Sequence, residues 1–367
     1  MFKSIFCNVY KIYFLLIVLI FSSCISGSEK EVKQDDNNQS FGIPKLIQQV
    51  LSDEDYLNIE EYSFYLSHFK KGPVIPGLFQ SAVPQGMTYY SDKDILLISN
   101  YMFDTRPSCI TAVSMSDGLL KKTLWLLNPD GLPHTGHVGG LAVSEKYLWI
   151  ASGKGVYFVP LDSFDNLADN TNLTLTAFEA TVVKGSFSTF SNGILWIGEF
   201  TSRDRSYTVP DFHHFKTHEG NVNHAWMAGF ILNSESNLIN YEDVIEGINY
   251  PDYILSIPHE VQGAAFIKNK IILSQSYGRT NNSRISVYLN PLEELPYSFF
   301  TMDDNRSIPV WILDEQNLEV EIIAPPMTEG IVDYNGAIAV LYESGSDKYR
   351  DTAKHPQDRI SILNINF

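Results

Sequence analysis

Residues 134–153 read HTGHVGGLAVSEKYLWIASG, and they decide the fold because the same pattern occurs five times along the chain. Gly139 and Gly140 open a short apolar run, a polar turn follows at 144–146, and a second apolar run ends in small residues. This pattern predicts two antiparallel β-strands joined by a tight turn.

Four further copies of this two-strand pattern are found at 85–101, 186–200, 262–277 and 329–344. Two of these copies carry an Asn-Gly hairpin turn, at Asn192 and Gly193 and at Asn335 and Gly336. A third apolar run follows most copies, and a fourth follows several. Repeated units of four antiparallel strands predict an all-β protein of the β-propeller class. A β-sandwich would not repeat the same two strands with the same internal turn.

The number of blades follows from the number of copies. Five copies favour five blades, but the long spacings around the fourth copy leave room for a sixth blade near 308–324. Glycine begins the first strand in four copies, because inner strands crowd around the propeller axis, whereas the third copy has Phe187 there. Since the chain ends on a third strand, we predict that 62–69 supplies the missing outer strand of the last blade.

The N-terminal segment, 1–23, has the layout of a secretory signal peptide. Lys3 and Lys11 precede the apolar run 12–21, which is too short to span a bilayer. The run ends in FSSC, which resembles a bacterial lipobox and implies that Cys24 becomes a lipidated N-terminus. Cleavage by the ordinary signal peptidase is the alternative.

The remaining boundaries follow from composition. Residues 24–42 are polar and aperiodic, which predicts a disordered tether behind the lipidated cysteine. For 43–61 we predict a short helix, because Pro44 suits a first helical position and apolar residues follow on one face. The propeller is predicted to occupy 62–367.

Charge and cysteine content exclude several classes of protein. The formal net charge of −17 argues against nucleic acid as a partner, because phosphate binding needs a basic surface. With Cys7 in the signal peptide and Cys24 lipidated, only Cys109 is left, so we expect no disulfide framework and no thiolate metal site. Neither a phosphate-binding Gly-rich loop nor a Gly-x-Ser-x-Gly motif occurs.

The candidate site lies at one mouth of the central channel. In an antiparallel hairpin, the start of the first strand and the end of the second lie at the same end. Polar residues at these positions and in the loops that follow predict a ligand pocket. They are Gln85, Asn100, Tyr101, His137, Glu199, Gln262, Tyr277, Arg279, Glu329 and Glu343. Alternatively, such side chains bond only to neighbouring backbone or to channel water.

Histidines suggest two further interpretations. His137, beside the glycine pair, could act as a general base or metal ligand, or could simply bond to a loop carbonyl. Between the second and third strands of the third blade lie His213, His214, His218 and His224, which could bind a metal or could belong to a polar insertion.

Several segments carry a resemblance to known proteins. The stretches VPQGMTYY, GHVGGLAV, FSNGILWIGEF and VQGAAFIKNKIILSQSYGR resemble segments of secreted bacterial β-propeller proteins. That resemblance implies an exported propeller and names no reaction. More distantly, the chain is similar to the gluconolactonase and paraoxonase group of metal-dependent hydrolases. Those proteins begin one strand with Glu-Gly-Pro, whereas here Ile331 follows Glu329 and Gly330.

Two functional hypotheses follow. The first is a ligand-binding or interaction module that binds a small molecule, glycan or protein at the channel mouth. The second, implied by the distant resemblance, is a hydrolase that binds a divalent metal, of calcium type, through Glu329, Glu199, Asn100 and His137. Either protein is expected to be a monomer, lipid-anchored on the extracytoplasmic side of the bacterial cell envelope.

The lipid anchor can be tested with one substitution. Cys24→Ala removes the only predicted acylation site, so the protein should move from the membrane fraction to the soluble fraction. Fractionation followed by immunoblotting measures this shift, with Cys109→Ala as the matched control. Unchanged retention of Cys24→Ala in the membrane fraction would contradict lipidation.

Overall fold

Each of the five repeats forms the inner hairpin of an antiparallel sheet in a computed structural model, which describes residues 42–52, 55–240, 244–302 and 305–365. The signal peptide, Cys24 and nearly all of the predicted tether lie outside the described residues. The inner strands of the sheets contact each other in a closed cycle. The protein is therefore a five-bladed propeller, as predicted.

Blades 1 and 2 come first along the chain. From the axis outwards, the strands of blade 1 are Ala82–Tyr90, Ile95–Met102, Cys109–Ser114 and Leu120–Leu127, with Thr171–Thr174 added in parallel. Those of blade 2 are Gly140–Val143, Tyr147–Ala151, Gly155–Pro160 and Ala177–Ala180. A short helix, Leu161–Asn166, follows the third strand of blade 2.

Blade 3 is the largest sheet. From the axis outwards, its strands are Phe187–Ser191, Ile194–Gly198, Ala225–Ile231, Tyr253–Ile257, Ser307–Ile312 and Ser298–Thr301. The loops within it carry two small hairpins, formed by Phe215–Lys216 with Val222–Asn223 and by Val244–Ile245 with Ile248–Asn249.

Blades 4 and 5 close the ring. Blade 4 contains Val261–Ile267, Lys270–Gln275, Ser283–Leu289 and Leu318–Ala324. Blade 5 contains Thr328–Tyr334, Ala337–Tyr342, Arg359–Leu363 and Phe69–Val74. The segment proposed as a sixth blade, 308–324, is divided between the outer part of blade 3 and the outer strand of blade 4. These additions explain the long spacings between the repeats.

The ring closes as predicted, but with a slightly later segment. Phe69–Val74, near the beginning of the domain, pairs with the last strand, Arg359–Leu363. Most of the segment predicted for this role is instead the helix Ser63–His68. Its Tyr65 is fully buried, and the Tyr65 hydroxyl lies 2.6 Å from Ser361 Oγ and accepts a hydrogen bond from Tyr342. Tyr65 therefore fastens the helix to blade 5.

A short N-terminal helix is present, as predicted, but not at the predicted position. Residues 43–52 contain no helix, and 3-10 turns at Asp55–Asn58 and Glu60–Tyr62 precede the helix described above. The reason is that Gln48 bonds to other parts of the chain: its side chain donates to Val74 O and Gly118 O and accepts from Leu120 N. These contacts hold the segment extended across the edges of two blades.

Crowding at the axis explains the glycines. A Cβ on Gly86 would lie 2.5 Å from Gly140 Cα, and one on Gly140 would lie 2.2 Å from Ser188 N. The exception in blade 3 has a local solution, because Phe187 pairs with Gly198, whose missing side chain leaves room for the phenyl ring. In the described part of the chain, no helix is long and apolar enough to cross a membrane.

A substitution at the axis tests this packing. Gly140→Ala should lower the free energy of unfolding by about 3 kcal/mol or more, because the new methyl group would overlap backbone of blade 3. In the control, Gly131→Ala, only a turn with φ of +82° is strained and no atom lies within 4 Å, so the loss should be about 1–2 kcal/mol. Equal losses in urea denaturation would mean that the axis has room for a side chain.

Candidate functional site

A cavity of about 500 Å³ opens at one mouth of the channel, and we call it the mouth cavity. Seven of the ten predicted ligand-binding residues line it: Gln85, His137, Gln262, Tyr277, Arg279, Glu329 and Glu343. The cavity is also lined by Ser186 and Ser276, at the predicted strand ends, and by Lys184, Phe200, Tyr207, Met327, Lys348 and Tyr349, which the sequence-based prediction did not include. Its size is typical of small-molecule sites.

Local irregularities in three inner strands accompany residues that line the cavity. The pairing register of the inner hairpins shifts at Gln85, at Gln262 and at Glu329. Such β-bulges re-aim a side chain out of the ordinary alternation of a strand. Each of the three residues is followed directly by an axial glycine. In these three strands the bulged residue therefore faces the mouth, and the glycine that follows it packs against the neighbouring blade.

Two carboxyl groups lie side by side in the cavity. Glu329, in the first strand of blade 5, is buried, and half-buried Glu343 follows the adjacent strand, so the two side chains are close enough to shift each other's pKa. Gln85 Nε2 donates to Glu343 Oε2 at 3.1 Å. Two carboxyl groups can form a hydrogen bond only when at least one carries a proton. We call Glu329 and Glu343 the carboxyl pair.

Burial shifts the titration of this pair upwards. It raises the pKa of Glu343 to about 7, against the opposing effects of hydrogen bonds from Glu329 and Gln85 and of the charges on Lys348 and Arg279. Burial, and then the charge of Glu343, raise the pKa of Glu329 well above its ordinary value. The pair therefore releases its first proton near neutral pH and keeps the second to higher pH.

Lys348 is enclosed by aromatic rings beside the carboxyl pair. Its Nζ donates to the Tyr101 hydroxyl at 2.7 Å and lies 4.9 Å from the Tyr101 ring centre and 4.8 Å from that of Tyr349. These contacts hold an ammonium group by hydrogen bonding and cation–π attraction. Tyr101 does not line the cavity but positions two residues that do.

His137 stacks on the other side of this cluster. Its ring lies 4.4 Å from the Tyr101 ring at an interplanar angle of 30°. The imidazole lines the cavity. Desolvation by the surrounding protein, and then the charge on Lys348, lower the pKa of His137. His137 is therefore neutral at neutral pH and offers a hydrogen bond without adding charge.

Three cations in the cavity wall lack a carboxylate partner. Lys184 donates to Thr208 O at 2.9 Å, Arg279 donates to Thr352 Oγ1 at 2.9 Å, and Lys348 donates to Tyr101. Within the described ranges, none of the three has a carboxylate oxygen within 4 Å. Elsewhere, cations such as Arg350 are paired, in that case with Asp347 at 2.7 Å.

Aromatic side chains form one side of the rim. Phe200 lies 5.4 Å from Tyr207 and 6.0 Å from Tyr277 between ring centres. The Tyr277 hydroxyl donates to Asp204 at 2.9 Å, which fixes that ring, whereas Tyr207 is 56% exposed. The rim therefore presents apolar ring surface above a polar floor.

Two predicted site residues point away from the cavity. Asn100 lies inside a strand that continues to Met102, so its amide is buried in the sheet and donates to Ile98 O at 3.2 Å. Glu199 is buried beneath the insertion of blade 3, where its carboxylate lies 2.7 Å from His213 Nδ1 and accepts from Trp226 N. The oxygen ligands proposed for a calcium site therefore do not converge, and this set does not fit a metal.

The four insertion histidines are also divided among separate contacts. His213 stacks on Trp226 and bonds to Glu199, and His218 Nδ1 bonds to Asp314 at 2.7 Å. His214 and His224 stack on each other with ring centres 4.7 Å apart. The four imidazoles therefore do not surround one point.

One acidic group could hold a metal ion. Carboxylate oxygens of Glu219, Asp314 and Glu315 lie within 4.8 Å of one another. His218 approaches this group through its bond to Asp314. The group lies apart from the residues that line the mouth cavity.

The residues that the sequence analysis missed come from loops. Lys348 and Tyr349 follow the second strand of blade 5, in the same loop as Arg350, and Lys184 precedes blade 3. A polar, Lys- and Tyr-containing loop, SDKYRD, after an inner hairpin was the available signal. Cys109 is buried with a free thiol.

Comparison with known proteins shows distant similarity to other propellers. No family model and no curated protein sequence matches this chain. A glutaminyl cyclase from Myxococcus xanthus is 9% identical, with 82% of this chain and 97% of that chain covered and a TM-score of 0.39. A gluconolactonase from Xanthomonas campestris is 10% identical, with 80% and 85% covered and a TM-score of 0.35.

A putative glucose dehydrogenase from Thermus thermophilus is also similar, at 13% identity, with 81% of this chain and all (100%) of that chain covered and a TM-score of 0.39. A gluconolactonase is thus among the distantly similar structures, as expected. Identities this low describe a shared fold and assign no reaction to this chain.

The carboxyl pair predicts a pH dependence of stability. The pKa of Glu343 is about 7 in the folded protein and close to 4.5 in the unfolded chain, so between these values the native state holds a proton that the unfolded chain has released. Raising the pH through this window therefore favours unfolding. The free energy of unfolding should fall by a few kcal/mol more in the wild type than in Glu343→Gln between about pH 5 and pH 8.

Urea denaturation at each pH measures this difference. Glu235→Gln, which removes an exposed carboxylate outside the cavity, serves as the control and should follow the wild type. Parallel pH curves for wild type and Glu343→Gln would show that Glu343 titrates normally.

Proposed function

We propose that this protein binds a small anionic molecule in the mouth cavity. The observation that carries the proposal is the convergence of Lys184, Arg279 and Lys348 on one cavity with no ion pair within 4 Å among the described residues, the nearby Glu343 included. In a chain with a net charge of −17, such cations would ordinarily attract one of the many carboxylates. An anion bound in the mouth cavity would pair with these cations and displace the water that hydrates them.

The remaining lining defines the rest of the ligand. The rings of Phe200, Tyr207 and Tyr277 suit a flat or apolar face, and Gln85 and Gln262 supply amide groups for polar atoms. The concave shape favours a small molecule over a protein surface. The ligand is therefore an anion with a ring or other flat portion.

The location of this binding protein is part of the proposal. A lipid on Cys24 and the polar segment behind it would place the cavity outside the cytoplasm, close to a membrane surface. An anionic small molecule in that compartment then reaches the cavity without crossing the inner membrane.

Titration calorimetry with matched probes tests the binding function. Aryl carboxylates such as 4-phenylbutanoate should bind about tenfold or more tightly than their neutral amides, because only the carboxylate satisfies the cations. Lys184→Ala should weaken carboxylate binding about five- to tenfold and leave amide binding unchanged.

Lys216→Ala removes an exposed lysine outside the cavity and should have no effect. Arg279→Ala should weaken binding without lowering the melting temperature, and loss of both would assign Arg279 a structural role. Equal affinity for carboxylates and amides would contradict an anion site.

A further inference from the structure

We propose that the carboxyl pair, Glu329 and Glu343, is a general acid–base pair that hydrolyses an acyl bond in the anion bound by the mouth cavity. This inference rests on the proposed function, since the cations that hold the anion surround the pair. The other features of the cavity are explained by ligand binding alone, so this inference adds a catalytic activity to it.

The first support is the proximity of the two carboxyl groups. Glu329 and Glu343 line the same cavity and shift each other's pKa, so the singly charged pair contains one acid and one base side by side. Both line the cavity, and thus both can reach a ligand or a water molecule within it. A pair of carboxyls that share a proton can accept a proton at one site while donating one at the other.

The second support is the fixed orientation of the pair. Gln85 is 5% exposed, and its Nε2 donates both to Glu343 Oε2 at 3.1 Å and to Pro84 O at 2.7 Å. The β-bulge at Glu329 and the end of the neighbouring strand hold the two carboxyls at adjacent backbone positions. Neither group therefore has to be reorganised before a proton is transferred.

The third support is the positive charge next to the pair. Lys348 and Arg279 are close enough to lower the pKa of Glu343, and His137 and Tyr101 face the same group of charges. An ammonium ion beside the reacting carbonyl stabilises the negative charge that develops on its oxygen. Acid, base and oxyanion stabiliser thus occur together in one cavity, as acyl transfer requires.

The reaction balances with water as the only co-reactant. The ionised carboxyl takes a proton from water, the water oxygen bonds to the acyl carbon, and the protonated carboxyl gives its proton to the carbonyl oxygen. In the second step a hydroxyl of the intermediate returns its proton to the ionised carboxyl as the carbonyl re-forms, the bond from the acyl carbon to the leaving oxygen or nitrogen breaks, and the leaving atom receives a proton from the protonated carboxyl. The products are a carboxylic acid and an alcohol or amine, and the pair is again singly protonated.

Hydrolysis of 4-nitrophenyl succinate, an anionic ester, tests this inference against the neutral ester 4-nitrophenyl acetate. Release of 4-nitrophenol should be faster for the anionic ester, with kcat/KM about tenfold higher. Glu329→Gln and Glu343→Gln should each lower kcat about 100-fold or more while 4-phenylbutanoate still binds. Glu219→Gln, in the separate acidic group, should retain the wild-type rate.

The pH profile separates catalysis from a structural role. The wild-type rate should rise as the pair loses its first proton near pH 7, and this limb should disappear in Glu343→Gln. Urea denaturation of each variant checks that the fold is retained.

Three outcomes would overturn the inference. If the wild type binds 4-phenylbutanoate but hydrolyses the ester no faster than a variant carrying both Glu329→Gln and Glu343→Gln, the proposed function stands and catalysis by the pair is refuted. Hydrolysis that EDTA abolishes and calcium restores would assign the chemistry to a metal ion instead. If the wild type shows neither binding nor hydrolysis, the proposed function is refuted as well.

Discussion

Close approach of the inner strands at the propeller axis is the constraint on which the rest of the structure depends. A methyl group on Gly86, Gly140 or Gly330 would come within 2.6 Å of a neighbouring blade. Only glycine permits this approach, because any side chain would push the blades apart and open the interfaces between them. The single exception, Phe187, is accommodated by Gly198 within its own hairpin. The ring of blades can therefore close only if the inner strands pack this closely at the axis.

The same crowding builds the candidate site. In three of the four inner strands that bring a glycine to the axis, those of blades 1, 4 and 5, the chain bulges, and the residue before the glycine turns into the mouth. This explains why Gln85, Gln262 and Glu329 share a position in their repeats and line one cavity. A structural requirement of the fold has therefore supplied an arrangement of polar groups that function can use.

Much of the fold and part of the site could be predicted from the sequence, because both depend on local repeats. The five inner hairpins, the closing N-terminal strand and seven cavity residues all follow from strand pattern and strand direction. The helix predicted at 43–61 was misplaced, because Gln48 bonds to distant backbone that no local pattern shows. Asn100 and Glu199 were assigned to the mouth because a strand runs longer than its pattern and an insertion folds over its neighbour.

The electrostatics of the cavity could not be predicted, since they arise from loops brought together only by ring closure. Lys184 precedes blade 3 and Lys348 follows the second strand of blade 5, yet they line one cavity with a carboxyl pair that burial keeps protonated. These features depend on one another. Removing the cations would raise the pKa of the pair further, and ionising the pair fully would neutralise the cations that attract an anion. Binding charge and proton-transfer capacity in this cavity are therefore coupled, and a ligand that adds negative charge will itself favour the protonated pair.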